Sequence, residues 1–376
     1  MGVPATEWLI DPGTAYLNHG GFGALPVPVA EAAEQLRREV EANPTDVFMR
    51  SWQGRVDAVR SRVAGVLHAS PDDLVFVPNA TTGTATVLSS LPLTTGDEVV
   101  VTDHRYPAVR SQVDALAARR GVAAREVHVP VDVSTSDEVV DRVLGGVTDS
   151  TRLVAVDHIA SPTGFVFPVD ALVAAAHDAG VPVLVDGAHA AGQVPVDLER
   201  TGADFWSGNM HKWVCSPRAC AALRVAPQWH GAIRPLVPSH GYAEGYQPAF
   251  DWTGTHDPIP MLAVPAALDF WEALGWDAVH AEQRELVGSG ARLVADRLGT
   301  RVAVRDEFTA SMRLVELPRP LGAEEGVALM HRLTTEHKVT VYVTHHAGTS
   351  YLRLCGQLYN RPDHYERLAD ALPALL

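Results

Sequence analysis

Cysteine is scarce in this chain: only Cys215, Cys220 and Cys355 occur among 376 residues. An odd count with no C-x-x-C pair argues against a disulfide framework and fits a reducing compartment. Long apolar runs are missing as well. Nothing approaches the roughly 18–20 residues that a membrane-spanning helix needs, and no basic-then-apolar leader opens the sequence. A cytoplasmic location is therefore expected. Positive charge is in deficit, with 30 Lys and Arg against 45 Asp and Glu, a formal net charge of −15. Nucleic acid and anionic membranes are poor partners for such a surface. Any anion that does bind must rely on backbone N–H groups and a few local cations. Internal repeats, low-complexity tracts, charge blocks and a Walker-type phosphate loop are all absent. The Gly20-Gly21-Phe22-Gly23 cluster has no strand before it and is not a dinucleotide fingerprint.

What is present is ordinary globular material, 47% hydrophobic and 20% charged, in a chain long enough for a large core and a smaller satellite domain. Short Val- and Leu-rich runs at 74–78, 98–102, 126–129, 152–157, 182–186, 203–207 and 220–225 read as buried, mostly parallel strands. Helical patterns at 106–120, 136–145 and 169–179 lie between them, with Gly121 and Gly180 just past the first and third as stop signals. This alternation predicts an α/β fold with a doubly wound, mostly parallel sheet. After about residue 258 the texture changes. Helical patterns at 261–274, 278–298, 323–337 and 362–375 mix with strand-like 301–304, 311–316, 339–343 and 351–354. The expected organisation is a large domain over 26–258, a smaller α+β domain over 259–376, and an N-terminal segment 1–25 packed beside the latter. Pro- and Gly-rich 227–258 is a long irregular stretch of the kind that carries function.

Two positions anchor the chemistry. Val181-Pro182-Val183-Leu184-Val185-Asp186-Gly187-Ala188-His189 ends an apolar strand on a carboxylate followed by small residues, and Lys212 follows the next strand in Ser207-Gly208-Asn209-Met210-His211-Lys212-Trp213. In an open parallel sheet the carboxyl ends of strands face the ligand crevice, so Asp186 and Lys212 should meet over one ligand. An Asp that keeps a pyridine nitrogen protonated, with a Lys that forms a Schiff base and moves protons at Cα, is the working pair of a pyridoxal-phosphate enzyme. A phosphate cradle is offered by Asn79-Ala80-Thr81-Thr82-Gly83-Thr84 at a helix N-terminus. Thr81 and Thr82 are its side chains, with Ser207 or Asn209 and with His211 completing it from the lysine side.

These segments are recognisable. Together with Tyr16-Leu17-Asn18-His19-Gly20-Gly21-Phe22-Gly23, Thr102-Asp103-His104-Arg105-Tyr106-Pro107 and Tyr351-Leu352-Arg353-Leu354-Cys355-Gly356, the chain resembles the class V aminotransferase group of fold-type I pyridoxal-phosphate enzymes over nearly its whole length. It is most similar to the isopenicillin N epimerase-like branch, which neighbours the cysteine desulfurases. The resemblance implies pyridoxal 5'-phosphate as cofactor, and a cofactor site that includes Asp186, His189 and Lys212. It implies that His104, or failing it Tyr106, stacks on the cofactor ring, and that Ser161 or Thr163 bonds its phenolic oxygen. Arg353 then binds the substrate carboxylate, as a guanidinium fork suits, with Asn18, His19 and Gly20 also at the substrate. Thr255 reaches the phosphate of a partner subunit, which implies a homodimer.

One departure narrows the chemistry. Where a desulfurase carries a nucleophilic Cys after its paired histidines, His345-His346 is followed by Ala347, so a persulfide-forming desulfurase is disfavoured. Cys355 and Cys215 are read as packing residues. The His345-His346 pair shows no third ligand at usable spacing, so no metal is expected. Two fates of a Cα carbanion remain open: epimerisation or transamination without loss of a group, as the branch resemblance favours, and Cβ elimination by a C–S lyase acting on a cysteine conjugate. A non-catalytic protein that kept the fold is the remaining alternative.

Overall fold

The computed structural model describes residues 7–376. Twelve strands are assigned among the described residues: β1 Ala15–Tyr16, β2 Leu74–Val77, β3 Glu98–Thr102, β4 Ala123–Val127, β5 Thr151–Asp157, β6 Val183–Asp186, β7 Phe205–Asn209, β8 Ala221–Val225, β9 Met312–Glu316, β10 Val339–Thr340, β11 Tyr342–His346 and β12 Thr349–Cys355. Seven of them form one sheet in the order β2-β8-β7-β6-β5-β3-β4, in which only β8 runs against the others.

The alternation of side chains across a strand explains why the central strands are apolar at every position. Val100, Val154, Val183 and Val185 feed the core on one face of the sheet. Their neighbours Val99, Val101, Leu153, Leu184 and Phe205 feed the core on the other. Edge strand β4 is largely exposed, and its Arg125 and Glu126 place charge where an unpaired strand edge would otherwise invite association. Crossovers between parallel strands run through helices such as Pro107–Arg120 and Val169–Asp178. Gly121 (φ 68°) and Gly180 (φ 73°) take the left-handed turn just past them.

A smaller antiparallel sheet, in the order β11-β12-β9, packs on the long helix Trp276–Leu298 and on Ala323–His337, and Pro362–Ala371 packs in turn on the long helix. The N-terminal segment joins this unit through β1, which pairs in parallel with β10. Ala15 and Leu17 share its core with Val287, Val315 and Leu352. The preceding helices, Ile259–Leu262 and Val264–Leu274, pack instead on Val27–Ala42 and Trp52–Leu67. Residues 301–304, expected as a strand, make only a single bridge, from Val302 to Val315. Within 227–258 the chain forms a short turn of helix at Pro227–Trp229 and the helix Tyr246–Asp251.

The consequence for function is positional. The parallel strands all end on one side, so Thr102, Val127, Asp157, Asp186 and Asn209 line one rim, with Asp157 directly opposite Asp186 in register.

Candidate active site

Lys212 lies just beyond the end of β7 and is nearly buried. Its Nζ is 2.8 Å from His189 Nε2, and the Trp213 indole N–H donates to His189 Nδ1 at 3.3 Å. Burial lowers the ammonium of Lys212 to about 8, with the nearby Asp186 carboxylate opposing the shift. Burial, and then the charge of Lys212, hold His189 well below the usual histidine range. Lysine occurs only twice in the chain. The other, Lys338, is the left-handed cap (φ 57°) of the helix Ala323–His337.

Asp186 closes β6. Its Oδ1 accepts the Ala188 N–H at 2.9 Å, which leaves Oδ2 without a described protein donor. Burial raises its pKa, against the pull of that hydrogen bond and of Lys212. Beside it on β5, buried Asp157 is pushed well up by desolvation and then by the Asp186 charge, so the two carboxyls resist being ionised together. Asp157 had no place in the expected site. The rule that singled out Asp186, an acid closing an apolar strand, would also have found it.

The helix Ala80–Ser90 begins at the same rim. Asn79 caps it, accepting from Thr82 N–H at 2.8 Å and from the Thr82 hydroxyl at 3.1 Å, while Asn209 Oδ1 accepts the Ala80 N–H at 2.8 Å. Thr81 stays exposed at this terminus. Ser207, expected in the cradle, is fully buried and donates to Ala222 O at 3.3 Å. The helix runs so close that a Cβ on Gly83 would collide with the Ser207 hydroxyl. Ser207 therefore supports the cradle from beneath, and Asn209 holds its first turn. His211 bonds Cys220 O through Nδ1 at 3.2 Å, and burial lowers it to about 4.

The expected stacking role of His104 does not fit its placement. Its ring is wholly buried, Nδ1 against the Thr163 hydroxyl at 2.8 Å and Nε2 against Val129 O at 2.6 Å, and packed beside Phe165 and Phe167. The ring that faces the lysine belongs to Tyr106, 6.0 Å from Lys212 Nζ to its centroid and 39% exposed. Thr163 is thereby committed to His104, whereas Ser161 sits at Arg353, which donates Nη1 to its backbone and side-chain oxygens.

Arg353, on β12, is buried. Its Nη2 donates to Asn18 Oδ1 at 2.8 Å, and its guanidinium lies 4.8 Å from the Tyr342 ring centroid. Asn18 thus reaches the crevice through Arg353. His19 and Gly20, expected at the substrate, form the floor beneath the lysine instead. His19 bonds the Tyr359 hydroxyl and Lys212 O, each at 3.0 Å, and burial lowers it to about 3. Gly20 N–H donates to Cys355 Sγ at 3.3 Å, and a Cβ there would stand 3.3 Å from the His189 ring. Thr255 is exposed in a separate cleft of about 440 Å³, with Trp52, Pro78 and Arg218 among its walls. All three cysteines are buried as free thiols, and burial pushes each thiol up.

The aminotransferase class-V family matches residues 15–353. Among curated proteins, a putative L-cysteine desulfhydrase 1 of Oryza sativa subsp. japonica is 32% identical, covering 97% of this chain and 83% of that protein. The isopenicillin N epimerase of Streptomyces clavuligerus is 30% identical, covering 98% and 96%. Among solved structures, the cysteine desulfurase CsdA of Escherichia coli superposes with a TM-score of 0.81 at 20% identity, covering 99% and 97%. The cystine C-S lyase C-DES, in complex with its reaction product cysteine persulfide, gives 0.80 at 23%, covering 95% and 96%. The structural likenesses bear out the doubly wound α/β architecture.

Proposed function

This chain belongs to the aminotransferase class-V family, whose enzymes use pyridoxal phosphate, and from that premise we propose that it removes the Cα proton of an amino-acid substrate and expels a sulfur substituent from Cβ. The observation that carries the reading is the buried Lys212 amine, held by His189 at 2.8 Å beside Asp186.

The residues present fit the cofactor. The free oxygen of Asp186, the helix start at Thr81 and Thr82, and the single lysine of the crevice answer a ring nitrogen, a phosphate and an aldehyde. When bound, pyridoxal phosphate supplies an electron sink conjugated to the substrate's Cα. Asp186 holds a proton at the ring nitrogen. Lys212 Nζ, with an ammonium lowered to about 8, takes the Cα proton near neutral pH, where a general base with a pKa close to the working pH is most effective. Arg353 orients the substrate carboxylate with the fork now given to Asn18 and Ser161.

Elimination is favoured over epimerisation because one base suffices for it. The ring nitrogens of His19, His104 and His189 are all engaged. The thiols are buried, and Ala347 stands in the turn between β11 and β12 where a sulfur-accepting Cys would be needed. The isopenicillin N epimerase-like reading keeps one support of its own. The Tyr106 ring lies beside Lys212, and its phenol is the second acid on which that reading would call.

Incubation with cysteine, cysteine conjugates and other amino acids in deuterated water separates the two. Elimination yields a thiol or hydrogen sulfide, pyruvate and ammonia in equal amounts. Deuterium at Cα with inversion and no ammonia would replace this reading with the epimerase one. Conversion of the cofactor to its amine form would indicate transamination instead.

A further inference from the structure

We propose that Asp103, His128 and His346 form a binding site for a divalent transition-metal ion, Zn²⁺ foremost, that clips the β11–β12 hairpin to the rim of the large sheet.

The three residues come from distant parts of the chain. Strands β3 and β4 are parallel neighbours paired up to Thr102 and Val127. Asp103 therefore leaves β3 close to where His128 leaves β4. His346 ends β11 and arrives from the small sheet. Asp103 Oδ2 is 2.5 Å from His128 Nδ1 and 3.6 Å from His346 Nε2, and the three ligand atoms all lie within 4.8 Å of one another. The other oxygen of Asp103 accepts Val129 N–H at 3.0 Å, so the carboxylate is oriented as outer-shell contacts orient a metal ligand.

The second observation is His346 itself. It is 6% exposed, its ring packed 4.2 Å from that of His104, and its Nε2 is buried with no hydrogen-bond partner. A buried polar nitrogen without a partner calls for an explanation, and this one lies beside a carboxylate and a second imidazole. The nearby cation, Arg105, is taken by Glu126.

Two imidazoles and a carboxylate suit Zn²⁺, whose bonds of about 2.0–2.2 Å place tetrahedral ligands roughly 3.3–3.5 Å apart. His128 is exposed enough to back away from Asp103 by the needed distance. Such an ion would have three protein ligands and a position open to water. It would also fix the hairpin whose β12 strand carries Arg353 opposite Tyr342.

The test uses holoenzyme stripped of metal with a chelator. Calorimetric titration with Zn²⁺ should give one ion per chain, and Co²⁺ should give the absorption bands of a low-coordinate N/O site. Amide hydrogen exchange across 342–355 should slow when Zn²⁺ is added. His128→Ala, which removes an exposed side chain, should weaken Zn²⁺ by more than about tenfold, the lower bound for disturbing even a metal's outer shell. Asp103→Asn should act in the same direction. No binding at millimolar Zn²⁺, or His128→Ala binding within tenfold of the unaltered protein, overturns the site.

Discussion

His189 Nε2 and Lys212 Nζ stand 2.8 Å apart, and the Trp213 indole decides which of them carries the proton between them. An indole nitrogen only donates, so His189 Nδ1 must accept, and a neutral ring then bears its hydrogen on Nε2. That hydrogen points at the lysine, which can accept it only as a neutral amine. The low pKa of about 8 caused by burial agrees with this arrangement. The apoprotein should therefore capture pyridoxal phosphate at a rate that rises with pH through about 8, because the ammonium has no lone pair and the amine does. Stopped-flow absorbance reads this directly. A midpoint near the ordinary lysine value of 10.5 would mean that the amine is not held as described.

Lys212 should carry the cofactor. Lys212→Ala should lose both the visible absorbance of the bound cofactor and the borohydride-reducible link. With only two lysines in the chain, a tryptic digest gives a clear answer. A pyridoxyl group on Lys338 would refute the assignment.

Asp186→Asn should keep the cofactor and lose activity. Retention follows because the helix start at Asn79–Thr82 is untouched. The rate should fall by about 100-fold or more, the scale of losing one electrostatic partner of the reacting system. Near-normal turnover with cofactor bound would show that another group, with Asp157 the nearest carboxyl, protonates the ring.

Tyr106 and His104 make opposite predictions. His104→Ala leaves the Thr163 hydroxyl and Val129 carbonyl without their partner. It should cost about 1–3 kcal/mol in denaturant unfolding with little change in the cofactor's absorbance. Tyr106→Leu, at an exposed ring, should move stability by about 0.5 kcal/mol or less while weakening cofactor binding and shifting its spectrum. The reverse pattern would restore His104 as the stacking ring.

A homodimer is proposed, with Thr255 crossing the interface to the partner's phosphate. The cleft of about 440 Å³ around Thr255, beside the Pro78–Asn79 turn, suits that arrangement. Sedimentation of the holoenzyme at assay concentration should give twice the chain mass, and an active monomer would rule it out.

The large sheet was legible because its strands announce themselves. Six of the seven appear as apolar runs within a few residues of their observed bounds, since a strand buried on both faces has no room for polar alternation. Edge strand β4, expected as a buried run at 126–129, lies instead at 123–127 and is largely exposed. Residues 301–304 misled because a Val-rich run needs a partner along its length, and only Val302 finds one. Asp186, Lys212 and the capped helix start could be placed for a related reason. Each sits at or just past the end of a buried strand, and a parallel sheet delivers all such positions to one rim.

Loops decided the rest. The chain leaving β3 turns so that His104 points into the core and Tyr106 toward Lys212, a rotation that the string Asp103-His104-Arg105-Tyr106 does not encode by itself. Ser207 faces the helix beneath the cradle because strand register, not residue type, sets the side on which it lies. The meeting of Asp103, His128 and His346 is the extreme case. Ligand spacings of 25 and 218 positions form no motif, and they converge only because β3 pairs with β4 and the small sheet docks its hairpin on that rim. The sequence by itself determined the fold class and the rim positions of Lys212 and Asp186, because periodicity and strand ends are local. Which side chains face one another across the crevice was left to the tertiary structure, since that depends on packing between segments that share no sequence neighbourhood.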